Sequence, residues 1–238
     1  MRILSKLKAL TAEVTSLSHL IPRNRLINLL RHWEFSSVID AGAHDGTWAK
    51  DVLPFLNLQS NPNLLLIDPI TSLSPKNFEI LKKFTKIQSH ALALGSESKS
   101  AAFHIASNSG ESSSFMEFSN AHLGAAPEVF FEEIRNVSMV PLDLLADSLL
   151  GPILLKLDLQ GYEIEALKGA KNTLSKVEVL VIEASLVEAY IGGSTLKSLI
   201  SYLEPLGFSL VGLVESFSEK NYGKMIQMDA IFARNSIT

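Results

Sequence analysis

Val38-Ile39-Asp40-Ala41-Gly42-Ala43-His44-Asp45-Gly46-Thr47 decides how this chain folds. Ser37 to Ile39 read as the end of a buried strand, Gly42 and Gly46 let the backbone turn tightly, and Thr47 opens a helix. Such a turn brings bare backbone N–H groups and a helix N-terminus against a polar ligand, an approach that a side chain at Gly42 would block. The spacing is Gly-x-x-x-Gly behind an acid. It matches neither the Gly-x-Gly-x-x-Gly of dinucleotide-binding turns nor the Gly-Lys-Ser/Thr ending of a phosphate loop. Taken alone, it also reads as a plain strand-to-helix connection.

A second acid narrows the reading. Leu64-Leu65-Leu66-Ile67 has the composition of a short buried strand and ends at Asp68, 22 residues beyond Gly46. An interval of about 20 residues is the one at which a carboxylate meets the ribose hydroxyls of a nucleoside in sheets of this kind. Together the two strand ends argue for an adenosine-bearing ligand.

Composition sets the outer bounds. With 238 residues, 47% of them hydrophobic and 19% charged, the chain can bury a large core as one domain or two small ones. The net charge of −4 gives no footing for nucleic acid, which favours a basic face. The chain has no cysteine, so disulfides and thiolate chemistry are excluded and a cytoplasmic setting is expected. No apolar run approaches the 18 residues or so of a membrane span, and Lys6 and Lys8 interrupt what would be the apolar core of a signal peptide.

Ile3, Leu7, Leu10, Val14, Leu17 and Ile21 fall on one helical stripe that Pro22 should end. The stripe suits packing on the parent domain, a helix seam in a homodimer, or basic attachment to a membrane surface through Arg2, Lys6 and Lys8. A second helix is expected over Arg25 to Trp33. From Ser37 the pattern alternates strand and helix, implying a mostly parallel sheet covered on both faces. Strands are expected at 37–40, 64–68, 86–93, 153–158 and 178–184, with helices at 47–56, 75–84, 162–174 and 195–206. Ala101 to Ala106 reads as an extra strand, and 208–215 with 225–233 as a closing antiparallel hairpin. The segment 115–136 has no clear period and reads as a lid or as a surface helix.

The fourth strand carries the second set of polar residues, Lys156-Leu157-Asp158-Leu159-Gln160-Gly161-Tyr162-Glu163. Lys156 and Asp158 project to one face, where charges are costly unless paired or used. One reading is a structural ion pair; the other is a ligand site, since central strand tips beside a reversal of strand order hold the ligands of doubly wound sheets. Glu183, at the tip of the fifth strand, is placed to face Asp158.

These stretches, with Asp68-Pro69, Leu167-Lys168-Gly169-Ala170, Ile182-Glu183-Ala184-Ser185 and Gln227-Met228-Asp229-Ala230-Ile231-Phe232, resemble the FkbM family of S-adenosylmethionine-dependent methyltransferases from about Ser37 to Phe232. The run Ser107 to Ser114 resembles that family's serine-rich loop. One departure is Asp68, where glutamate is common. The resemblance implies an α/β, Rossmann-like class I methyltransferase fold: a seven-stranded sheet, six strands parallel and one antiparallel, in a catalytic domain over 37–238 behind an N-terminal helical extension, 1–36. It implies S-adenosyl-L-methionine as cofactor and transfer of a methyl group to oxygen on a small-molecule or glycan acceptor. By position it assigns Asp40, Gly42 and Gly46 to the methionine end of the cofactor, Asp68 to the ribose, His90 and Ala91 to the adenine border, and Asp158, Tyr162 and Glu163 to the neighbourhood of the acceptor.

A hydroxyl acceptor must lose a proton, and Asp158, Glu183 and His44 are the candidate bases, with Asp158 foremost. His44 reads equally as a turn residue that titrates near neutrality. Asp158 and Glu183 could together bind a divalent metal, but two carboxylates without a visible third ligand assign none. A short-chain dehydrogenase would need Tyr-x-x-x-Lys; Tyr162, Tyr190, Tyr202 and Tyr222 are followed four places later by Ala166, Ser194, Leu206 and Ile226. A catalytically silent nucleoside-binding or scaffold protein of the same fold is the remaining alternative.

Overall fold

The computed structural model describes residues 22–219 and 223–235. The expected helix over 1–21, and with it the dimer seam and the basic attachment, lies outside the described residues. Helix α1 (Pro22–Leu30) leads into β1 (Glu34–Ala41), α2 (Thr47–Val52), β2 (Asn57–Ile67), α3 (Pro75–Leu81) and β3 (Lys86–His90). Next come β4 (Ala93–Leu94), β5 (Lys99–Ala106), α4 (Asn120–Ala125), β6 (Phe131–Val140) and α5 (Asp143–Ala146). The chain then forms β7 (Ile153–Leu157), α6 (Glu163–Lys168), α7 (Lys171–Leu174), β8 (Val177–Ser185), α8 (Leu196–Leu203), β9 (Phe208–Ser218) and β10 (Met225–Arg234).

Among the described residues seven strands form one sheet in the order β3-β2-β1-β7-β8-β10-β9. Only β10 runs against its neighbours β8 and β9, which gives the expected six parallel strands and one antiparallel. All five residues of β7 are buried, as a strand covered on both faces requires. Neighbouring residues on each central strand feed opposite cores. Ile39, Leu65 and Leu155 pack with Leu180, Leu199 and Phe208, while Val38, Leu64 and Leu154 pack with Val52, Leu81 and Val181. Each such side chain withdrawn from water contributes about 1.5–3 kcal/mol. Pro22, read from the sequence as the end of the preceding helix, opens α1, and Leu26 and Leu30 of that helix enter the second core.

Three elements differ from expectation. The strand expected over 86–93 leaves the large sheet after His90, and β4 joins β5 and β6 in a separate three-stranded sheet. The segment 115–136 holds a short helix and the start of β6, a long strand whose first half is largely exposed and so lacks a core-facing alternation. The helix expected over 162–174 is two helices. The carboxylate of Asp143 accepts from the backbone N–H of Asn172 and Thr173 at 3.0 and 2.7 Å and starts α7 afresh.

The strand order reverses between β1 and β7: the chain moves outward from β1 to β2 and β3, and from β7 to β8 on the other side. That reversal leaves a crevice at the carboxyl ends of β1 and β7, below which Asp40 pairs in register with Lys156.

Candidate active site

Gly42 fixes the crevice. Its φ is 75°, and a Cβ there would lie 1.8 Å from the carbonyl oxygen of Asp158, so the turn after β1 rests directly on the backbone after β7. Its N–H and that of Ala43 donate to the carbonyl of Ile67 at 2.9 and 3.1 Å, binding the turn to β2 as well. Gly46, with φ 84°, precedes α2, while Asn77 of α3 donates to the Asp45 carbonyl at 3.0 Å and buttresses the turn from outside.

Under this turn Lys156 is buried and reaches Asp40, Asp158 and the Gly42 carbonyl, each at 3.3 Å. Burial alone would strip its proton, but Asp40 and Asp158 outweigh burial and hold it above the ordinary lysine range. Burial pushes Asp40 up to about 6 against the pull of Lys156. Asp40 is fully enclosed and lies beneath the hollow described below rather than on its wall. The sequence alternatives for Lys156 and Asp158 therefore coexist: they are an ion pair, and both line the hollow.

Asp68 is drawn onto the backbone. Its Oδ2 accepts from the N–H of His44 at 3.0 Å, and Oδ1 from those of Ile70 and Thr71 at 2.9 and 2.7 Å. A carboxylate offers about four acceptor sites, so one remains, on Oδ2.

A polar bar crosses from β7 to β8 and β10. Gln160 donates to Asp158 Oδ1 and to Glu183 Oε2, each at 2.7 Å, and Gln227 donates to Glu183 Oε2 at 2.8 Å. Ser216 donates to Glu183 Oε1 at 3.1 Å. The hydroxyl of Tyr190, within 2.5 Å of Gln160 Oε1 and 3.2 Å of the Ser112 carbonyl, fixes the amide of Gln160 in this orientation. Burial, then the charge of Asp158, hold Glu183 well above the usual carboxylate range. With an amide donor held between the two acids, the oxygens a metal would take are already engaged.

A strap over residues 107–114 crosses the mouth. His44 Nε2 lies 3.1 Å from the Ser109 carbonyl, and Ser114 donates to the Gln160 carbonyl at 2.8 Å. Below it is a hollow of about 630 Å³. Gly42, His44, Asp68, Asp158, Tyr162 and Glu183 all line it, so the structure brings the two predicted strand tips and the candidate bases to one space. His90 and Ala91 do not line it, and the following Leu92, Ala93 and Leu94 do. Glu163 faces away: it is buried, and its Oε1 accepts from the N–H of Leu159 and Gly161 at 3.0 Å each. Sequence reasoning missed Tyr190, and took Gln160 and Gln227 only as parts of motifs. Tyr190 stands 30 residues beyond Gln160, and no local spacing announces that contact.

These residues fit a cationic nucleoside. Asp45, Asp68, Glu111, Asp158 and Glu183 line the hollow against one buried cation among the described residues, Lys156, which is already paired. The remaining acceptor site of Asp68 is open to a sugar hydroxyl, and the turn at Gly42 leaves room for close approach to backbone.

Among curated proteins none matches the sequence. Solved structures that resemble the chain include 1,6-didemethyltoxoflavin-N1-methyltransferase from Burkholderia thailandensis with bound S-adenosylhomocysteine: 10% identical, covering 99% of this chain and 86% of that one, TM-score 0.46. The N-methyltransferase NodS from Bradyrhizobium japonicum is 12% identical over 92% and 99% of the two chains, TM-score 0.44. The precorrin-6y C5,15-methyltransferase from Geobacter metallireducens is 14% identical over 90% and 87%, TM-score 0.42. The family model described as the methyltransferase FkbM domain matches residues 40–210, from Asp40 at the tip of β1 into β9. The fold is the Rossmann-like class I methyltransferase fold, and the chain belongs to the FkbM methyltransferase family.

Proposed function

We propose that the protein uses S-adenosylmethionine to methylate a hydroxyl of a small molecule, sugar or glycan. The observation that carries this reading is the meeting of the Asp68 and Asp158 strand tips around one hollow, across a turn only glycine can make. The cofactor supplies an electrophilic methyl on a sulfonium. The chain's own work is to hold and to aim. Gly42 and the His44 turn bear on the methionine end, Asp68 accepts from the ribose, and the acid excess favours the cationic donor. Holding donor and acceptor at attack distance supplies roughly 7–11 kcal/mol of the barrier, against a factor of about 10² to 10⁴ from a positioned base.

Asp158 is the base in this reading. Lys156 and Gln160 fix its two oxygens on the wall of the hollow, while burial and the charge of Asp158 hold Glu183 well above the usual carboxylate range. Tyr162 and Glu183 border the acceptor, while Glu163 acts indirectly by shaping the loop.

Calorimetric titration with S-adenosylmethionine, S-adenosylhomocysteine and NAD tests the reading. Both sulfur compounds should bind and NAD should not; NAD binding alone would end the proposal. Labelled methyl transfer into extracts of the host would then identify the acceptor. In that assay Asp158→Asn should keep wild-type affinity for S-adenosylhomocysteine and lose a factor of about 10² to 10⁴ in turnover. Binding without turnover by the wild-type protein would favour a nucleoside-binding scaffold.

A further inference from the structure

His122, on α4, is buried with 3% of its surface exposed, and neither ring nitrogen has a hydrogen-bond partner among the described residues. Buried polar groups without partners are rare and call for a reason. Packing supplies none. The ring stacks on Phe118 at 4.0 Å with planes 6° apart and lies 5.5 Å from Tyr190 and 6.1 Å from Phe217, a wall that phenylalanine would complete without losing hydrogen bonds. The backbone that carries the ring is fixed. Ser119 caps α4, accepting from the N–H of Ala121 and His122 at 3.1 and 3.4 Å and donating to the carbonyl of Glu188.

The imidazole lines the same hollow as Asp158 and Glu183, at an end whose other walls include Ala126, Val129 and Phe217. It is one ring removed from the acids: Tyr190 beside it reaches Gln160, and Gln160 donates to both carboxylates. Burial lowers its pKa, so the ring is neutral and offers one donor and one acceptor. The charge around it is of one sign. Glu111, Asp158 and Glu183 line the hollow, and the one lysine that lines it among the described residues is held by Asp40 and Asp158. A phosphate or carboxylate on the acceptor would meet repulsion, and among the described residues no further lysine or arginine lines the hollow to offset it.

Resting on the methyltransferase reading, we propose that His122 contacts the methyl acceptor directly, hydrogen-bonding an uncharged, hydroxyl-bearing ring that lies against Val129 and Phe217. His122 selects the acceptor and takes no part in cofactor binding.

The test uses the full chain labelled with 15N-histidine and saturated with S-adenosylhomocysteine, with phenol and phenyl phosphate as probes. The spectrum of His122→Phe assigns the ring. Phenol should shift the two His122 ring nitrogens saturably, and phenyl phosphate should bind at least tenfold more weakly. In His122→Phe the phenol affinity should fall roughly fivefold to tenfold, the worth of one neutral hydrogen bond, and His122→Asn should restore most of it. Affinity for S-adenosylhomocysteine should stay within twofold of wild type in both variants. Phenol that leaves the His122 nitrogens unmoved, or phenyl phosphate that binds as well as phenol, overturns the proposal; the wild-type spectrum decides this even where a variant fails to fold. Failure of the wild-type protein to bind S-adenosylhomocysteine would overturn the methyltransferase reading instead.

Discussion

Glu163 shows how a residue can sit in a site motif and serve the loop. Its Oε1 takes two backbone N–H groups of the turn that carries Gln160, where φ is 53° at Gln160 and 98° at Gly161, while Oε2 has no partner among the described residues. Burial pushes its pKa from 4.5 up to about 7, despite those amide contacts. The folded chain therefore keeps this proton where the unfolded chain has lost it. Stability should fall as pH rises from about 4.5 to about 7 and then level off, by about 3 kcal/mol for this group at most. Glu163→Gln keeps the accepting oxygen and mimics the protonated acid. Urea unfolding should find the variant equal to wild type near pH 4 and more stable by up to about 3 kcal/mol at pH 8. A wild type that is the more stable of the two at pH 8 would show that the charge is accommodated. At this scale the sequence revealed Gly42, Asp68 and Asp158 because each sits at a strand tip, where backbone geometry leaves a local mark. Gln160, Tyr190 and His122 left none, since their roles arise from contacts made across the fold.

At the scale of elements, Gly95 and Gly169 explain why a continuous helix over 162–174 was the wrong expectation. A Cβ on Gly169 would lie 2.1 Å from the carbonyl oxygen of Gly95, so the chain bends there to let β4 pass, and α7 begins anew under Asp143. The apolar period runs through the break and conceals it; the obstruction comes from a strand more than 70 residues earlier. For the same reason β6 escaped notice, because Glu133 to Asn136 pair with β5 on an exposed surface and show no buried face. The two glycines differ in what an added methyl would strike. At Gly95 it meets the flexible Met139 side chain, with Sδ 2.2 Å away, whereas at Gly169 it meets backbone on two sides. Gly95→Ala should cost about 1 kcal/mol and Gly169→Ala about 3 kcal/mol in chemical denaturation, the two ends of the usual overpacking range. Equal costs, or the reverse order, would mean that the elbow relaxes and that Asp143 alone breaks the helix.

For the whole molecule, alternation of strand and helix was enough to give a covered parallel sheet, but not the order of its strands. Hydrophobic period reports which faces are buried and is blind to which strand lies beside which, so the sequence could invoke a reversal only as the habit of doubly wound sheets, and its place between β1 and β7 is seen in the pairing of those two strands. That reversal makes the hollow a junction. The turn after β1, the acid after β2, the bar after β7 and the strap over 107–114 all meet there, each tied to another by hydrogen bonds. A ligand that fills the junction binds only when all four are in place, so its binding energy adds to the stability of the whole fold. S-adenosylhomocysteine at 100 times its Kd should add about 2.7 kcal/mol, which for a chain of this length raises the melting temperature by roughly 5–11 °C. NAD at the same concentration should leave it unchanged. Asp68→Ala should lower the melting temperature of the free protein, because three amides lose their acceptor, and should also shrink the increment from S-adenosylhomocysteine. Scanning calorimetry reads both effects in one experiment. A full increment in Asp68→Ala would show that the carboxylate serves the loop alone and leaves the ribose to other groups.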